Sequence, residues 1–175
     1  GHGIGGSMAI DLAIRMPDLL GGIVLHAPVG DSLDTRLFPR IMSSRPVQGF
    51  VRRAISSRPL RPLQRLVFFP PGAPRETLDK FFDGYRHCEA FGDMFDLIDR
   101  PWFDSVSPVV GVPTVLLWGE KDRVLRSGQS AEIQSKVPDA EVVIKEGWDH
   151  FPMIEQPEEY AREIVAIAQR LAPAG

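Results

Sequence analysis

Residues 1–28 read GHGIGGSMAIDLAIRMPDLLGGIVLHAP, a run in which glycines, a helical pattern and a short apolar segment follow one another. The four glycines of its first six residues predict a tight turn. Apolar residues at a helical spacing follow the turn, namely Met8, Leu12 and Met16. This helix should end at Pro17, and the short apolar run GIVLHAP (22–28) then indicates a buried strand. Turn, helix and strand in this order predict the start of an α/β sheet.

The last third of the chain alternates strands and helices in the same way. The segments TVLLWG and EVVIKEG indicate strands, and helical patterns follow them, so the elements fall at 114–119, 127–136, 141–147 and 157–171. This alternation predicts βα units and a mostly parallel sheet. We expect residues 1–28 and 109–175 to form one α/β core.

Residues 29–108 differ in composition from the segments on either side. Seven prolines should divide this stretch into short helices and turns: Pro39, Pro46, Pro59, Pro62, Pro70, Pro71 and Pro74. Between Asp34 and Glu76 there are nine arginines and no acid. We interpret the stretch as a helical insertion that covers something. Its arginines have two interpretations, a solvated helix face or a surface for an anionic substrate, carrier or lipid headgroup.

Composition restricts the classes of function. The chain has 175 residues, of which 43% are hydrophobic, and its net charge of −3 argues against a nucleic-acid binder. Its apolar runs are too short for a transmembrane helix. A single cysteine, Cys88, excludes an intramolecular disulfide and fits a reducing, cytoplasmic location. No metal-ligand spacing and no phosphate-binding loop is present, so the sequence predicts neither a metal nor a cofactor.

Three positions that can carry chemistry follow strands or occupy a strand-to-helix turn. They are the opening turn around Gly3, Asp122 in WGEKDRV, and His150 in EGWDHFPMIEQPEEY. Taken singly, an aspartate in a turn and a histidine in a loop are ordinary structural residues. Open α/β sheets, however, bind their ligands at the carboxyl ends of strands, where all three positions should meet.

The order of these motifs resembles the α/β-hydrolase superfamily over the whole chain. Residues 1–28 are similar to that family's GHSxGGxxAxxLAxxxPxxxxxLVLxxP, VPTVLLWGEKDRV to its acid segment, and GWDHFPMIEQPEEY to its histidine segment. The resemblance implies an α/β-hydrolase fold in which residues 29–108 are the cap between the sixth and seventh strands. It also implies that Asp122 orients His150, that His150 acts as the base, and that the Ile4 backbone N–H stabilises an oxyanion.

Two features depart from the family pattern. The nucleophile position is occupied by Gly3, which has no atom that can attack a carbonyl, so the usual covalent acyl transfer is not available to this sequence. The chain also begins at the turn itself. We expect about a hundred upstream residues, with several strands, the second oxyanion donor and any targeting signal, to precede it.

Other interpretations of the same residues stay open. Shifting the turn by four residues would make Ser7 the nucleophile, although serine in a first helical turn commonly caps or packs. Gly1, Gly3 and Gly6 fit a dinucleotide-binding spacing, with Asp18 as the ribose acid, although that acid should end a strand. Cys88 beside His87 suggests a second nucleophile, although adjacent residues of a helix point apart.

These observations support two classes of function. The first is a hydrolase of an ester, thioester or carbon–carbon bond in a small apolar acyl substrate. In one variant of it, His150 is a general base on water or a substrate carbon, and Gly3 leaves room for the substrate. The second is a catalytically silent relative that binds a ligand or partner under the cap.

Overall fold

The computed structural model of the chain describes residues 1–30, 44–69, 74–91, 93–94 and 100–171. The strands are β1 (Ile23–His26), β2 (Thr114–Gly119) and β3 (Glu141–Lys145). The helices are α1 (Ile4–Arg15), α2 (Arg45–Ile55), α3 (Arg61–Phe68), α4 (Arg75–Gly84), α5 (Arg100–Ser105), α6 (Ser130–Gln134), α7 (Pro152–Glu155) and α8 (Pro157–Leu171). Short 3₁₀ turns cover Pro17–Leu19, Arg58–Leu60, Tyr85–His87, Glu89–Phe91 and Ser127–Gln129.

The three strands form one parallel sheet in the order β1-β2-β3. Leu25 pairs with Leu116, and Leu117 pairs with Val143. All six residues of β2 are buried, as expected for a strand with neighbours on both sides and helices on both faces. The predicted α/β class with a parallel sheet is confirmed.

Alternate residues of β2 pack into two different hydrophobic clusters. Leu116 and Trp118 join the cluster that includes Ile10 of α1. Val115 and Leu117 join the opposite cluster, which includes Ile167 of α8. The period of two along the strand therefore places α1 and α8 on opposite faces of the sheet. Within the described residues, no helix combines the length and the apolar character needed to cross a membrane.

The described part of the middle stretch contains α2, α3 and α4, and the 3₁₀ turn Arg58–Leu60, which includes Pro59, separates α2 from α3. Its own small core contains Phe69, Leu78 and Phe82. Phe151, from the segment that follows β3, packs against this core, and its ring stacks on that of Phe69 at 5.0 Å between centroids. The helices are therefore joined to the histidine segment through aromatic contacts. The boundaries 29–108 stay a prediction.

Candidate active site

The structure brings Asp122 and His150 into contact at the carboxyl end of the sheet. The distance between His150 Nδ1 and Asp122 Oδ2 is 2.8 Å, and the two side chains are 6% and 0% exposed. A carboxylate can only accept, so Nδ1 donates, and in the tautomer that this bond selects the lone pair of a neutral imidazole is on Nε2. A pair in this arrangement can act chemically, because the imidazole is able to remove a proton and the carboxylate is able to stabilise an imidazolium.

Backbone donors fix the Asp122 carboxylate in the turn that follows β2. Its Oδ1 accepts from the N–H groups of Val124 at 2.9 Å and Leu125 at 2.6 Å. An aspartate that bonds the backbone two and three residues ahead is typical of a tight turn. Both carboxylate oxygens are therefore occupied, one by the turn and one by His150.

A close backbone approach joins the acid segment to the histidine segment. A Cβ at Gly119 would lie 2.5 Å from the carbonyl oxygen of Trp148 and 2.7 Å from that of Asp149. The N–H of Lys121 donates to the same Trp148 carbonyl at 2.9 Å. Only glycine permits this approach, so Gly119 sets the distance between the two segments.

The opening turn has the geometry of a strand that reverses into a helix. His2 forms a parallel bridge with His26, and the N–H of Gly3 donates to the His26 carbonyl at 3.0 Å. Gly3 has φ 56° and ψ −124°, in the region that favours glycine. Ile4 is the first residue of α1, so its N–H has no acceptor within the helix.

The space around the turn agrees with this register. A Cβ at Gly1 would lie 2.1 Å from the Gly5 carbonyl oxygen, and a Cβ at Gly6 would lie 2.8 Å from Pro28 Cβ. By contrast, a Cβ at Gly3 would meet no atom within 4 Å. The packed positions of the turn therefore require glycine for space, whereas position 3 has room for a side chain.

His2 connects the turn to the Asp–His pair. Its Nε2 donates to the backbone carbonyl of His150 at 2.9 Å, and the two imidazole rings are 4.5 Å apart. On its other side, the His2 ring lies 4.7 Å from that of His26. The position next to Gly3 is thus in direct contact with the candidate base.

His2 and His26 are neutral in this environment. Burial, assisted by the nearby His150, lowers the pKa of His26 from 6.5 to about 3. Burial also lowers the pKa of His2 to about 2, with further contributions from His150 and His26 that outweigh the opposing hydrogen bond. The imidazoles beside His150 consequently add no positive charge at neutral pH.

Ser7 does not occupy a nucleophile position. It lies inside α1, is 0% exposed, and its hydroxyl donates to the Val29 carbonyl at 2.8 Å. This hydrogen bond holds the helix against the segment after β1. The interpretation with Ser7 as the nucleophile is therefore wrong. As is common for a serine in the first turn of a helix, its side chain serves packing.

Ser7→Ala should lower the free energy of unfolding by about 1 kcal/mol and leave any hydrolytic activity within about twofold, because the hydroxyl only packs the helix. Urea denaturation and initial rates measure the two effects. Ser105→Ala is the matched control, since its exposed hydroxyl also donates to a backbone carbonyl. Loss of activity in Ser7→Ala without unfolding would restore Ser7 as the nucleophile.

The structure does not support the dinucleotide site or the Cys88 nucleophile. Asp18 lies in an exposed 3₁₀ turn before β1, whereas a ribose acid should end a strand, so the dinucleotide interpretation is wrong. Cys88 is a free, half-buried thiol that follows the 3₁₀ turn Tyr85–His87, and His87 is exposed. Within the described ranges, no group of three or more His, Cys, Asp or Glu side chains is placed to hold a metal.

Several arginines of the middle stretch are engaged in ion pairs with α4. Arg61 pairs with Asp83 at 2.5 Å and with Asp79 at 3.3 Å, and Arg65 pairs with Asp79 at 2.7 Å. These contacts favour a structural role for those two arginines. Arg36 and Arg40 lie outside the described residues. A surface for an anionic partner stays a prediction for this stretch.

Sequence reasoning missed several residues that surround the pair. Asp149 is 3% exposed and binds Arg123, while the ring of Phe151 lies 4.5 Å from that of His150. Glu155 has a buried Oε1 without a partner among the described residues. The only signal in the sequence was the adjacency of Arg123 to Asp122 and of Asp149 to His150.

Comparison with known proteins gives a family and a set of similar folds. The model of the family described as "Alpha/beta hydrolase family" matches residues 1–163. The chain is 21% identical to a 2-hydroxy-6-oxononadienedioate/2-hydroxy-6-oxononatrienedioate hydrolase of Pseudomonas sp, over 97% of this chain and 62% of that protein. It is 23% identical to an uncharacterised protein of Mycobacterium tuberculosis, over 90% of this chain and 51% of that protein. The chain thus spans roughly half to three fifths of these relatives.

Solved structures show the same fold. The crystal structure of a putative lipase from Acinetobacter baumannii has a TM-score of 0.72 at 18% identity, covering 98% of this chain and 60% of that one. A 2-hydroxy-6-oxo-6-phenylhexa-2,4-dienoate hydrolase from Rhodococcus has a TM-score of 0.66 at 17% identity, covering 97% and 62%. At these identities the likeness concerns the fold.

Proposed function

Because the chain belongs to the alpha/beta hydrolase family, we propose that it is part of a hydrolase in which Asp122 and His150 are the acid and the base. The bond cleaved is an ester, thioester or carbon–carbon bond of a small apolar acyl substrate. The observation that supports this proposal most directly is the buried 2.8 Å contact between His150 Nδ1 and Asp122 Oδ2. Similar structures named as a putative lipase, a thermophilic esterase and a meta-cleavage product hydrolase agree with a hydrolase of this kind.

With glycine at position 3, the proposed nucleophile is water. His150 Nε2 removes a proton as the water oxygen attacks the acyl carbon, and the carbonyl electrons move onto its oxygen. The Ile4 N–H, at the positive end of α1, stabilises this oxyanion. The imidazolium, stabilised by Asp122, then returns the proton to the leaving oxygen, sulfur or carbon as the carbonyl re-forms.

The surroundings of His150 favour an apolar acyl group. The Phe151 ring packs edge-on against His150 and also contacts Phe69 and Phe81 of the helical stretch, at 5.0 and 5.1 Å. Aromatic side chains of this kind bind apolar groups and exclude water. We propose that residues 29–108 act as the cap that supplies this apolar wall.

His150→Ala and Asp122→Asn should each lower kcat/KM for a short aryl ester by at least about 10²-fold, because each removes the base or its orientation. The measurement uses the full-length protein with the native Gly3. His87→Ala and Asp139→Asn are matched controls, since both residues are exposed in the structure. Activity that survives in both dyad variants would contradict the proposed roles.

The second candidate is a silent relative that binds an apolar ligand under the cap. The absence of an attacking atom at Gly3 favours it. In that case the native protein hydrolyses no aryl ester, thioester or carbon–carbon substrate, yet an acyl ligand raises its Tm by mass action. Turnover that depends on His150 would exclude this candidate.

A further inference from the structure

An ion pair between Arg123 and Asp149 lies next to the Asp122–His150 pair. Arg123 directly follows Asp122, and Asp149 directly precedes His150. The Arg123 Nε donates to Asp149 Oδ2 at 2.5 Å. Because the two partners adjoin the acid and the base, the ion pair spans the same two segments as the Asp–His contact.

Asp149 also fixes the backbone on both sides of that junction. Its Oδ1 accepts from the N–H of Arg123 at 3.1 Å and from the N–H of His150 at 2.8 Å. One carboxylate therefore holds the backbone of the histidine, the backbone after the acid, and the guanidinium. Charge-assisted bonds of this kind are the strongest hydrogen bonds in proteins.

The burial of the two partners is unequal. The Asp149 side chain is 4% exposed, whereas that of Arg123 is 40% exposed. A buried carboxylate needs a partner, because burying an unpaired charge is costly. Removing the guanidinium is expected to disturb the buried Asp149 more than it disturbs the surface around Arg123.

Arg123 offsets several carboxyl groups around the base. Glu155 of α7 has a buried Oε1, and burial together with the carboxylates of Asp149 and Asp122 raises the pKa of Glu155 to about 7, against the opposing effect of Arg123. The Arg123 guanidinium thus offsets negative charge from the carboxyl groups of Asp122, Asp149 and Glu155.

We infer that the Arg123–Asp149 pair positions His150 by holding the His150 backbone against the turn after β2 that carries Asp122. The imidazole thereby keeps its Nδ1 bond to Asp122. Neither residue is a catalytic residue in this inference, since neither touches the substrate. The inference rests on the proposed function only in that it gives His150 the role of base.

Histidine-selective ¹⁵N NMR on the full-length protein tests the positioning directly. In the parent, His150 should show a protonated Nδ1 and an unprotonated Nε2, with the resonances assigned by their loss in His150→Ala. In Asp149→Asn and in Arg123→Gln, the Nδ1–H signal should weaken or exchange with the other tautomer. Arg126→Gln, which neutralises an exposed arginine of the same segment, is the matched control and should leave the spectrum unchanged.

Kinetics give a second readout that a purely structural role would not move. Asp149→Asn and Arg123→Gln should lower kcat about tenfold or more and leave KM within about twofold, because misplacing a base affects the chemical step. If Asp149→Asn does not fold, Arg123→Gln carries the test, since it keeps the Asp149 carboxylate that accepts from the two backbone N–H groups.

The outcomes separate this inference from the proposed function. An unchanged tautomer in folded Asp149→Asn and Arg123→Gln overturns the inference, even if His150→Ala abolishes activity. A changed tautomer in a protein without His150-dependent turnover supports the positioning and overturns the proposed function. Lower stability with the parent tautomer and the parent kcat would reduce the pair to a structural contact.

Discussion

Gly3→Ser should raise kcat/KM for a short aryl ester by at least about 10³-fold over the parent. In serine hydrolases, losing the nucleophile alone costs up to about 2 × 10⁶ in kcat, so installing one beside an intact Asp–His pair should recover a large part of that factor. Position 3 adjoins His2, whose ring contacts His150, and it has φ 56° and ψ −124°. A strained strand-to-helix turn of this kind presents the nucleophile of the family.

The new side chain has room but also a backbone cost. A Cβ at position 3 would meet no atom within 4 Å, so no neighbour must move. The positive φ, however, is unfavourable for serine by about 1–3 kcal/mol, and urea denaturation should show this loss. Gly3→Ala is the matched control, because it carries the same strain without a hydroxyl and should therefore gain no activity.

Two results would contradict this expectation. Folded Gly3→Ser without added activity would mean that the hydroxyl, His150 and the Ile4 N–H do not converge on one substrate position. A gain that persists in Gly3→Ser combined with His150→Ala would mean that the new activity does not pass through the Asp–His pair. A burst of the aryl leaving group before steady turnover would demonstrate a covalent acyl intermediate.

The sequence was sufficient to predict the sheet and the position of Asp122 and His150 at one edge of it. Asp122 and His150 each follow a strand, and parallel strands present their carboxyl ends together, so their meeting required only strand assignments and chain order. The strand at Glu141–Lys145 and the long helix Pro157–Leu171 were also readable from periodicity.

The contacts that surround the pair could not be predicted in the same way. The Asp149–Arg123 bond depends on how two loops lie against each other. Gly119 sets that arrangement because it allows the two backbones to approach closely, and no hydrophobic periodicity in the sequence indicates such an approach. Likewise, Phe151 joins the histidine segment to Phe69 across a long sequence separation. Prolines indicated that the middle stretch is broken into short helices, but not which aromatic side chains meet.

Acidification from pH 7.5 to 5.0 should lower the free energy of unfolding through His2 and His26 by about 4 kcal/mol together, and Glu155, whose raised pKa of about 7 lets the folded state bind a proton in the same range, offsets part of this loss. In the folded state, burial lowers the pKa of His26 to about 3 and that of His2 to about 2, against 6.5 in the unfolded chain. Between pH 6.5 and about 3, the unfolded state therefore binds more protons. The stabilisation is complete above pH 6.5 and is lost as the pH falls, at up to about 1.4 kcal/mol per pH unit for each histidine.

His26→Leu should remove about half of the histidine contribution, or about 2 kcal/mol, from this loss. The His26 side chain is 1% exposed, and neither ring nitrogen has a hydrogen-bond partner among the described residues, so a leucine sacrifices no hydrogen bond there. Urea denaturation at pH 7.5 and 5.0 gives the difference for each protein, which is independent of any packing change at neutral pH. His87→Gln, at an exposed turn, is the matched control and should retain the full loss. If His26→Leu loses as much stability on acidification as the parent, the His26 imidazole is not held neutral by burial beneath the turn.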